Sequence, residues 1–204
     1  MGFYHDRILP HLINRGCAAK PFTRQRDKVV PLAEGRVLEV GMGSGLNIRH
    51  YDPARVTMLW GLEPSHGMRA MARKRVAAAP FPLEWLDLPG EEIPLEDDSV
   101  DTVVLTYTLC TIPGWESALR QMRRVLRPGG RLLFSEHGLA PDPGVRRWQQ
   151  RLNPGWMKIA GGCHLNRDIP ALLRQGGFRI RQIETLYLPS TPRFAGFNYW
   201  GYAD

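Results

Sequence analysis

From residue 36 onward, short apolar runs alternate with stretches in which apolar residues recur at helical spacing. Residues 37–40, 57–63, 83–86, 100–107 and 131–135 read as strands. Between them, Met68, Met71, Ala72 and Val76 form the stripe of a helix that Ser65 can cap, and Leu119, Met122, Val125 and Leu126 form that of a helix over 115–126. Arg127-Pro128-Gly129-Gly130 is a strong helix stop. This alternation predicts an α/β fold whose mainly parallel sheet is covered by helices on both faces.

The two ends are less regular. Residues 3–13 are moderately amphipathic but contain Pro10, and residues 22–32 suggest a second short helix. Lying outside the alternating unit, they are expected to cap the sheet or to act as a lid. Past His137, Pro141-Asp142-Pro143 opens a helix to about residue 152, which Asn153-Pro154-Gly155 is expected to break. A helix over 168–175, a strand over 178–187 and a last strand over 198–203 follow.

Composition narrows this picture. The 204 residues fit one domain, and no apolar run approaches the roughly 20 residues of a membrane span. The first residues hold no signal-peptide core, so a cytoplasmic protein is expected. Cys17, Cys110 and Cys163 are odd in number and far apart, which argues against a disulfide framework. The adjacent Cys163-His164 pair is not a ligand set, and no metal is expected. A net charge of +7 raises the question of nucleic acid. However, Arg120, Arg123, Arg124 and Arg127, like Arg146, Arg147 and Arg151, are spaced to lie on solvated helix faces, which argues against a nucleic-acid partner.

The first strand runs into Glu39-Val40-Gly41-Met42-Gly43-Ser44-Gly45-Leu46-Asn47. Glycines at 41, 43 and 45 allow left-handed backbone and close approach of a ligand. Leu46 stands where the dinucleotide fingerprint has its third glycine, so a pyrophosphate cofactor is not the first reading. The segment resembles motif I (E/D-x-G-x-G-x-G) of class I S-adenosylmethionine (SAM)-dependent methyltransferases.

Further features occur in that family's order. Glu63, followed by Pro64, ends the second strand where the resemblance implies a carboxylate for the ribose hydroxyls. Glu91-Glu92-Ile93-Pro94-Leu95 and Asp97-Asp98-Ser99-Val100-Asp101 resemble a passage of the type 11, or UbiE-like, methyltransferases, which implies that Gly90 and Glu91 flank the adenine. Gly90 replaces the usual alanine, and either Asp87 or Glu91 is left as the acid nearer the adenine amine. Thr106 and Tyr107 fall where the family contacts the methionine part, and residues 118–130 resemble its "AL-x-E-x-x-RVLRPGG" motif.

A narrower resemblance covers Leu109-Cys110-Thr111-Ile112, Glu136-His137, residues 148–156, residues 162–167 and Tyr199-Trp200-Gly201-Tyr202-Ala203. It points to the branch containing methyltransferase-like protein 7, the thiol S-methyltransferases. The hydrophobic N-terminal segment of those animal proteins has no counterpart here, which puts membrane attachment in question.

The resemblance implies a Rossmann-like α/β/α sandwich with a seven-stranded, mostly parallel sheet and an antiparallel C-terminal strand. One methyltransferase domain over 1–204 would comprise a cap or lid (1–34), a SAM-binding core (36–137) and a part completing the sheet and acceptor pocket (138–204). The cofactor residues expected are Glu39, Gly41, Met42, Gly43, Gly45, Glu63, Pro64, Gly90, Glu91, Thr106 and Tyr107. The reaction implied is transfer of the methyl group of SAM to a small-molecule acceptor, with a thiol as the leading choice, by in-line displacement, leaving S-adenosylhomocysteine. A quinone carbon, or an amine such as a phospholipid head group, is the alternative acceptor. A SAM-binding regulatory or RNA-associated protein is the alternative of a different class. Methyl transfer needs no nucleophilic side chain, but a thiol acceptor can use a base, for which His137 and His164 are the candidates, with Tyr107 near the methyl group. Tyr4, Trp148 and His164 are the candidate acceptor-pocket residues.

Overall fold

A computed structural model describes residues 8–204. Tyr4, an expected pocket residue, lies outside the described residues.

The strands are β1 (Gly35–Val40), β2 (Val56–Leu62), β3 (Leu83–Leu86), β4 (Val100–Thr106), β5 (Leu126–His137), β6 (Ile180–Tyr187) and β7 (Phe197–Ala203). They form a seven-stranded sheet in the order β3-β2-β1-β4-β5-β7-β6. All neighbouring pairs up to β5 are parallel, and β7 runs antiparallel between β5 and β6. The helices are α1 (Leu9–Cys17), α2 (Lys20–Val29), α3 (His66–Ala77), α4 (Trp115–Val125), α5 (Pro143–Ile159), α6 (Ile169–Gln175) and the short α7 (Arg193–Gly196). Three-layer α/β architecture follows from strands apolar on both faces, which need cover on each side.

On one face, Leu38, Val40, Leu105 and Phe134 pack against Ala118, Leu119, Met122 and Val125 of α4 and Leu173 of α6. On the other, Val37, Leu59, Val104 and Leu133 pack against Val29, Val30 and Ala33. The N-terminal segment thus covers one face of the sheet. Arg120, Arg123, Arg127, Arg146, Arg147 and Arg151 are exposed, as their spacing predicts. Arg124 instead turns onto the carbonyl oxygens of Ile93 and Leu95 and the carboxylate of Asp97, tying the loop before β4 to α4.

Three local expectations are corrected. First, α5 does not break at Asn153-Pro154-Gly155 but runs to Ile159 with Pro154 inside it. Proline removes one N–H and crowds the carbonyl of Gln150, but both residues are exposed, so water can serve that carbonyl. The turn is also anchored from its buried side, because Asn153 Oδ1 accepts from the Leu165 N–H (2.8 Å) and Trp156 packs edge-on to Phe194. Second, β5 begins at Leu126, which pairs with Val100 before residues 127–130 loop out and pairing resumes at Arg131 opposite Thr102. Third, a short helical turn, α7, lies between the last two strands, where the sequence predicts no element.

Candidate active site

In an open α/β sheet, ligands bind at the carboxyl ends of the strands where chain order reverses. Here that point lies between β1 and β4. A cavity of about 1160 Å³ opens there, its wall including Glu39, Gly41, Met42, Gly43, Glu63 and Tyr107. That volume is just above the ~300–1,000 Å³ usual for ligand pockets, enough for two reactants side by side.

The glycine turn forms the floor. Gly41, Gly43 and Gly45 all adopt positive φ, at 72°, 58° and 75°. At Gly41 a Cβ would overlap the side chain of Thr108, and at Gly45 it would press on Ile48. Gly43 is different: a Cβ there meets nothing closer than 3.9 Å, so its glycine answers to the backbone angle and leaves the turn bare toward the cavity.

Glu63 closes the turn from β2. Its Oε2 accepts from the Gly43 N–H (2.9 Å) and its Oε1 from the Ser65 N–H (2.8 Å), which leaves lone pairs on both oxygens for a diol. Burial raises its pKa against those two backbone donors. Glu39 lies deeper, 2% exposed, with Asn47 Nδ2 donating to Oε1 (2.9 Å) and the Tyr51 hydroxyl to Oε2 (2.7 Å). Burial pushes its carboxyl up to about 7.

Asn47 ties this network to the N-terminal helices. Its Nδ2 also donates to Thr106 Oγ1 (2.9 Å), while its Oδ1 accepts from Arg26 Nε (3.0 Å). Arg26, buried at 4% exposure, donates through Nη1 to the Cys17 carbonyl (2.6 Å) and lies over the Tyr107 ring. Ser44 in the turn donates to Asn14 Oδ1 of α1 (2.6 Å). Leu9, Ile13, Asn14 and Cys17 of α1 complete the far wall. Arg26, Asn47 and Asn14 carry no motif that marks them in the sequence; only the run of short helices ahead of β1 hints at a cover.

Of the other expected cofactor residues, Pro64, Thr106 and Tyr107 line the cavity, whereas Gly45, Gly90 and Glu91 do not. Gly90 is packed beneath Val40, Ile112 and Ala118, and Glu91 Oε1 accepts from the Gly114 N–H (2.9 Å) at the start of α4. Asp87 pairs with Arg69, which also donates to the Glu63 carbonyl (2.8 Å). Tyr107 holds a left-handed backbone with φ 55°, its ring edge-on to Phe22 and its hydroxyl 3.4 Å from Ser135 Oγ; burial raises its pKa.

The acceptor-side candidates do not converge. Trp148 is 57% exposed on α5 and lines a separate groove of about 420 Å³ with Val145, Leu152, Arg193 and Phe194. His164 is half-buried; burial, then Arg167, lowers its pKa, and its backbone N–H donates to the Cys110 carbonyl (2.9 Å). His137 is buried behind the wall with Nε2 at 3.1 Å from Cys163 Sγ, which in turn lies 3.6 Å from Cys110 Sγ. Burial alone would lower the His137 imidazole, but the neighbouring Cys163 raises it overall. Contact with Cys110 is the main cause that holds the Cys163 thiol low, His137 adding to it against burial. Beside them, Glu136 is fully buried; its Oε1 accepts from the N–H groups of Thr108 (2.7 Å) and Leu109 (3.1 Å), and its Oε2 has no hydrogen-bond partner.

Comparison with known proteins places this geometry. The methyltransferase-domain family matches residues 38–134. The human thiol S-methyltransferase TMT1A is 32% identical over 187 residues, covering 89% of this chain and 75% of that protein. The chain belongs to the SAM-dependent methyltransferases. The UbiE ubiquinone/menaquinone C-methyltransferase of Geobacter sulfurreducens is 36% identical over 107 residues, covering 50% of this chain and 41% of that enzyme. In fold, a SAM-dependent methyltransferase from Leishmania major superposes with a TM-score of 0.70 at 15% identity, over 98% of this chain and 80% of that one. Among the described residues, no helix of this enzyme is long and apolar enough to cross a membrane.

The cavity fits SAM on its own terms. A bare glycine turn at Gly43 gives an extended ligand room against the backbone, and the Glu63 carboxylate keeps acceptor capacity for two hydroxyls.

Proposed function

We propose that this enzyme methylates the sulfur of a small thiol. The observation that carries the reading is the reach of the likeness: TMT1A matches 89% of this chain, whereas the quinone-methylating relatives match 50% to 70% of it. The longer match must extend beyond the cofactor half, into the terminal segments that surround the acceptor side.

Bound SAM supplies an electrophilic methyl group, and the chain's work is to hold and align two reactants. Glu63 accepts from the ribose hydroxyls, the turn at Gly41 and Gly43 supports the methionine end, and Thr106 and Tyr107 lie against the methyl side. Leu9, Ile13 and Met71 give the cavity an apolar wall suited to a thiol's carbon skeleton and to excluding water. We read α1 and α2 as the lid, because Arg26 and Asn14 bind them to the turn itself. Orientation of this kind contributes on the order of 7–11 kcal/mol when alignment is ideal.

No side-chain base is required in this reading. His137 already faces Cys163, and a thiol of pKa about 8.5 is partly ionised near neutrality. The acceptor then reacts as the thiolate drawn from its own equilibrium, in a cytoplasm that keeps it reduced. The test is a screen of thiols, amines, phenols and quinones that follows S-adenosylhomocysteine release. Turnover confined to thiols, with a pH profile that tracks each acceptor's own pKa in both His137→Ala and His164→Ala, is expected. Turnover only with quinones or amines overturns the thiol reading.

A further inference from the structure

Two thiols and an imidazole from three separate parts of the chain meet at one point. Cys110 follows β4, His137 ends β5, and Cys163 sits in the loop after α5. Their ligating atoms lie within 4.8 Å of one another. Cys163 Sγ is 3.1 Å from His137 Nε2 and 3.6 Å from Cys110 Sγ. A tetrahedral zinc ion with bonds of about 2.3 Å to sulfur and 2.0–2.1 Å to nitrogen spaces its ligands at roughly 3.5–3.8 Å; the two Cys163 separations are within about half an ångström of that spacing, and the third pair, Cys110 Sγ and His137 Nε2, lies no more than 4.8 Å apart and closes by up to about 1 Å when the ion enters.

The surroundings point the same way. Cys110 and His137 are buried, and all three cysteines are free thiols. The next buried group along the chain, Glu136, leaves Oε2 without a donor. Arg167, the cation beside them, spends its Nη1 on the carbonyl oxygens of Leu109 and Ile112 rather than on the cluster. Two thiols, an imidazole and a carboxylate with one unspent oxygen thus gather at one place, and thiolates with imidazole select zinc over hard cations.

We propose that Cys110, His137 and Cys163 form a binding site for one zinc ion. Binding displaces to solvent whatever protons the two sulfurs and the ligating imidazole nitrogen hold, leaving two thiolates and a neutral imidazole on the ion. The ion fixes the 160–167 loop to the ends of β4 and β5. That loop includes Gly161, at φ 63°, which lines the cavity, so the metal would set the shape of the acceptor side without touching the cofactor turn.

Cobalt(II) titrated into the reduced, chelator-stripped full chain tests this independently of methyl transfer and of the acceptor's identity. One equivalent is expected to produce thiolate-to-cobalt charge-transfer absorption and intense tetrahedral d–d bands, both erased by one equivalent of zinc. Cys163→Ser and Cys110→Ser should each cut the charge-transfer band by half or more, and Cys17→Ser should keep it. SAM affinity on the same samples reports folding of the variants. Wild-type protein that shows no stoichiometric thiolate band overturns the proposal whatever the variants do. So does a band that persists undiminished in Cys163→Ser, and so does cobalt uptake without thiolate absorption, which marks adventitious binding at surface histidines.

Discussion

Glu39 and Glu136 occupy corresponding places near the carboxyl ends of β1 and β5. Both are sealed from solvent, and burial pushes both carboxyls up to about 7. They differ in how they are satisfied. Glu39 has a donor on each oxygen, and those donors, Asn47 and Tyr51, are themselves fixed by Arg26 and by packing against Phe81. Glu136 gives one oxygen to two backbone N–H groups and leaves the other idle beside two thiols and an imidazole. A buried charge held by a complete network is scaffolding. One left incomplete keeps capacity for something else, and the β5 end is the side on which the acceptor reading and the metal site both depend.

The largest expected effect separates the two ends by cofactor affinity. Gly43→Val imposes a β-branched residue at φ 58° and fills the bare floor, so SAM affinity in calorimetry should fall at least about 100-fold. Glu63→Ala should do the same, whereas Cys163→Ser should stay within a few-fold of wild type. Equal losses at both ends would erase the distinction.

A smaller effect is expected in stability. Glu39→Leu orphans a donor hydrogen of Asn47 and the Tyr51 hydroxyl, at roughly 1–3 kcal/mol each. Glu136→Leu also orphans two donors but removes an unsatisfied oxygen, so urea unfolding should show the smaller loss for Glu136. The reverse order would mean that the spare oxygen is satisfied in solution.

Next comes the pH dependence. Both carboxyls titrate higher when folded than when unfolded, so their contribution is fully present below about pH 4.5 and is lost as pH rises through about 7. Glu136→Gln and Glu39→Gln should therefore each flatten the fall in melting temperature between pH 5 and pH 8. A slope unchanged in both variants would show that neither group drives it. The smallest effect belongs to Tyr107→Phe, which removes only the 3.4 Å contact with Ser135 and should change SAM affinity by less than about threefold.

The same contrast explains what could be read from the chain. The sheet and the cofactor turn were legible because their signals are local: apolar runs, glycines at 41, 43 and 45, and an acid ending β2. Glu63 meeting Gly43 follows from those positions. Arg26 and Asn47 were not legible, since a buried arginine looks like any other in a charged helix until α2 docks. Nor was the Cys110, His137 and Cys163 cluster, whose members come from three separate elements with no ligand spacing. The adjacent pair Cys163 and His164 was rightly set aside as a ligand set, since the imidazole that meets Cys163 is that of His137, from another strand. Pro154 misled for a related reason: the anchors that carry α5 past it, Asn153 to Leu165 and Trp156 to Phe194, are tertiary.

The antiparallel β7 has a consequence for synthesis. It fills the slot between β5 and β6, with Ala203 paired to both Leu132 and Ile180. Until residues 197–203 have left the ribosome, β5 and β6 each present an open row of backbone donors and acceptors, the kind of edge on which nascent chains aggregate. The sheet is therefore closed by the last of its strands in chain order one place in from its edge, and a nascent chain halted before Phe197 should depend on chaperones more than a chain that carries β7.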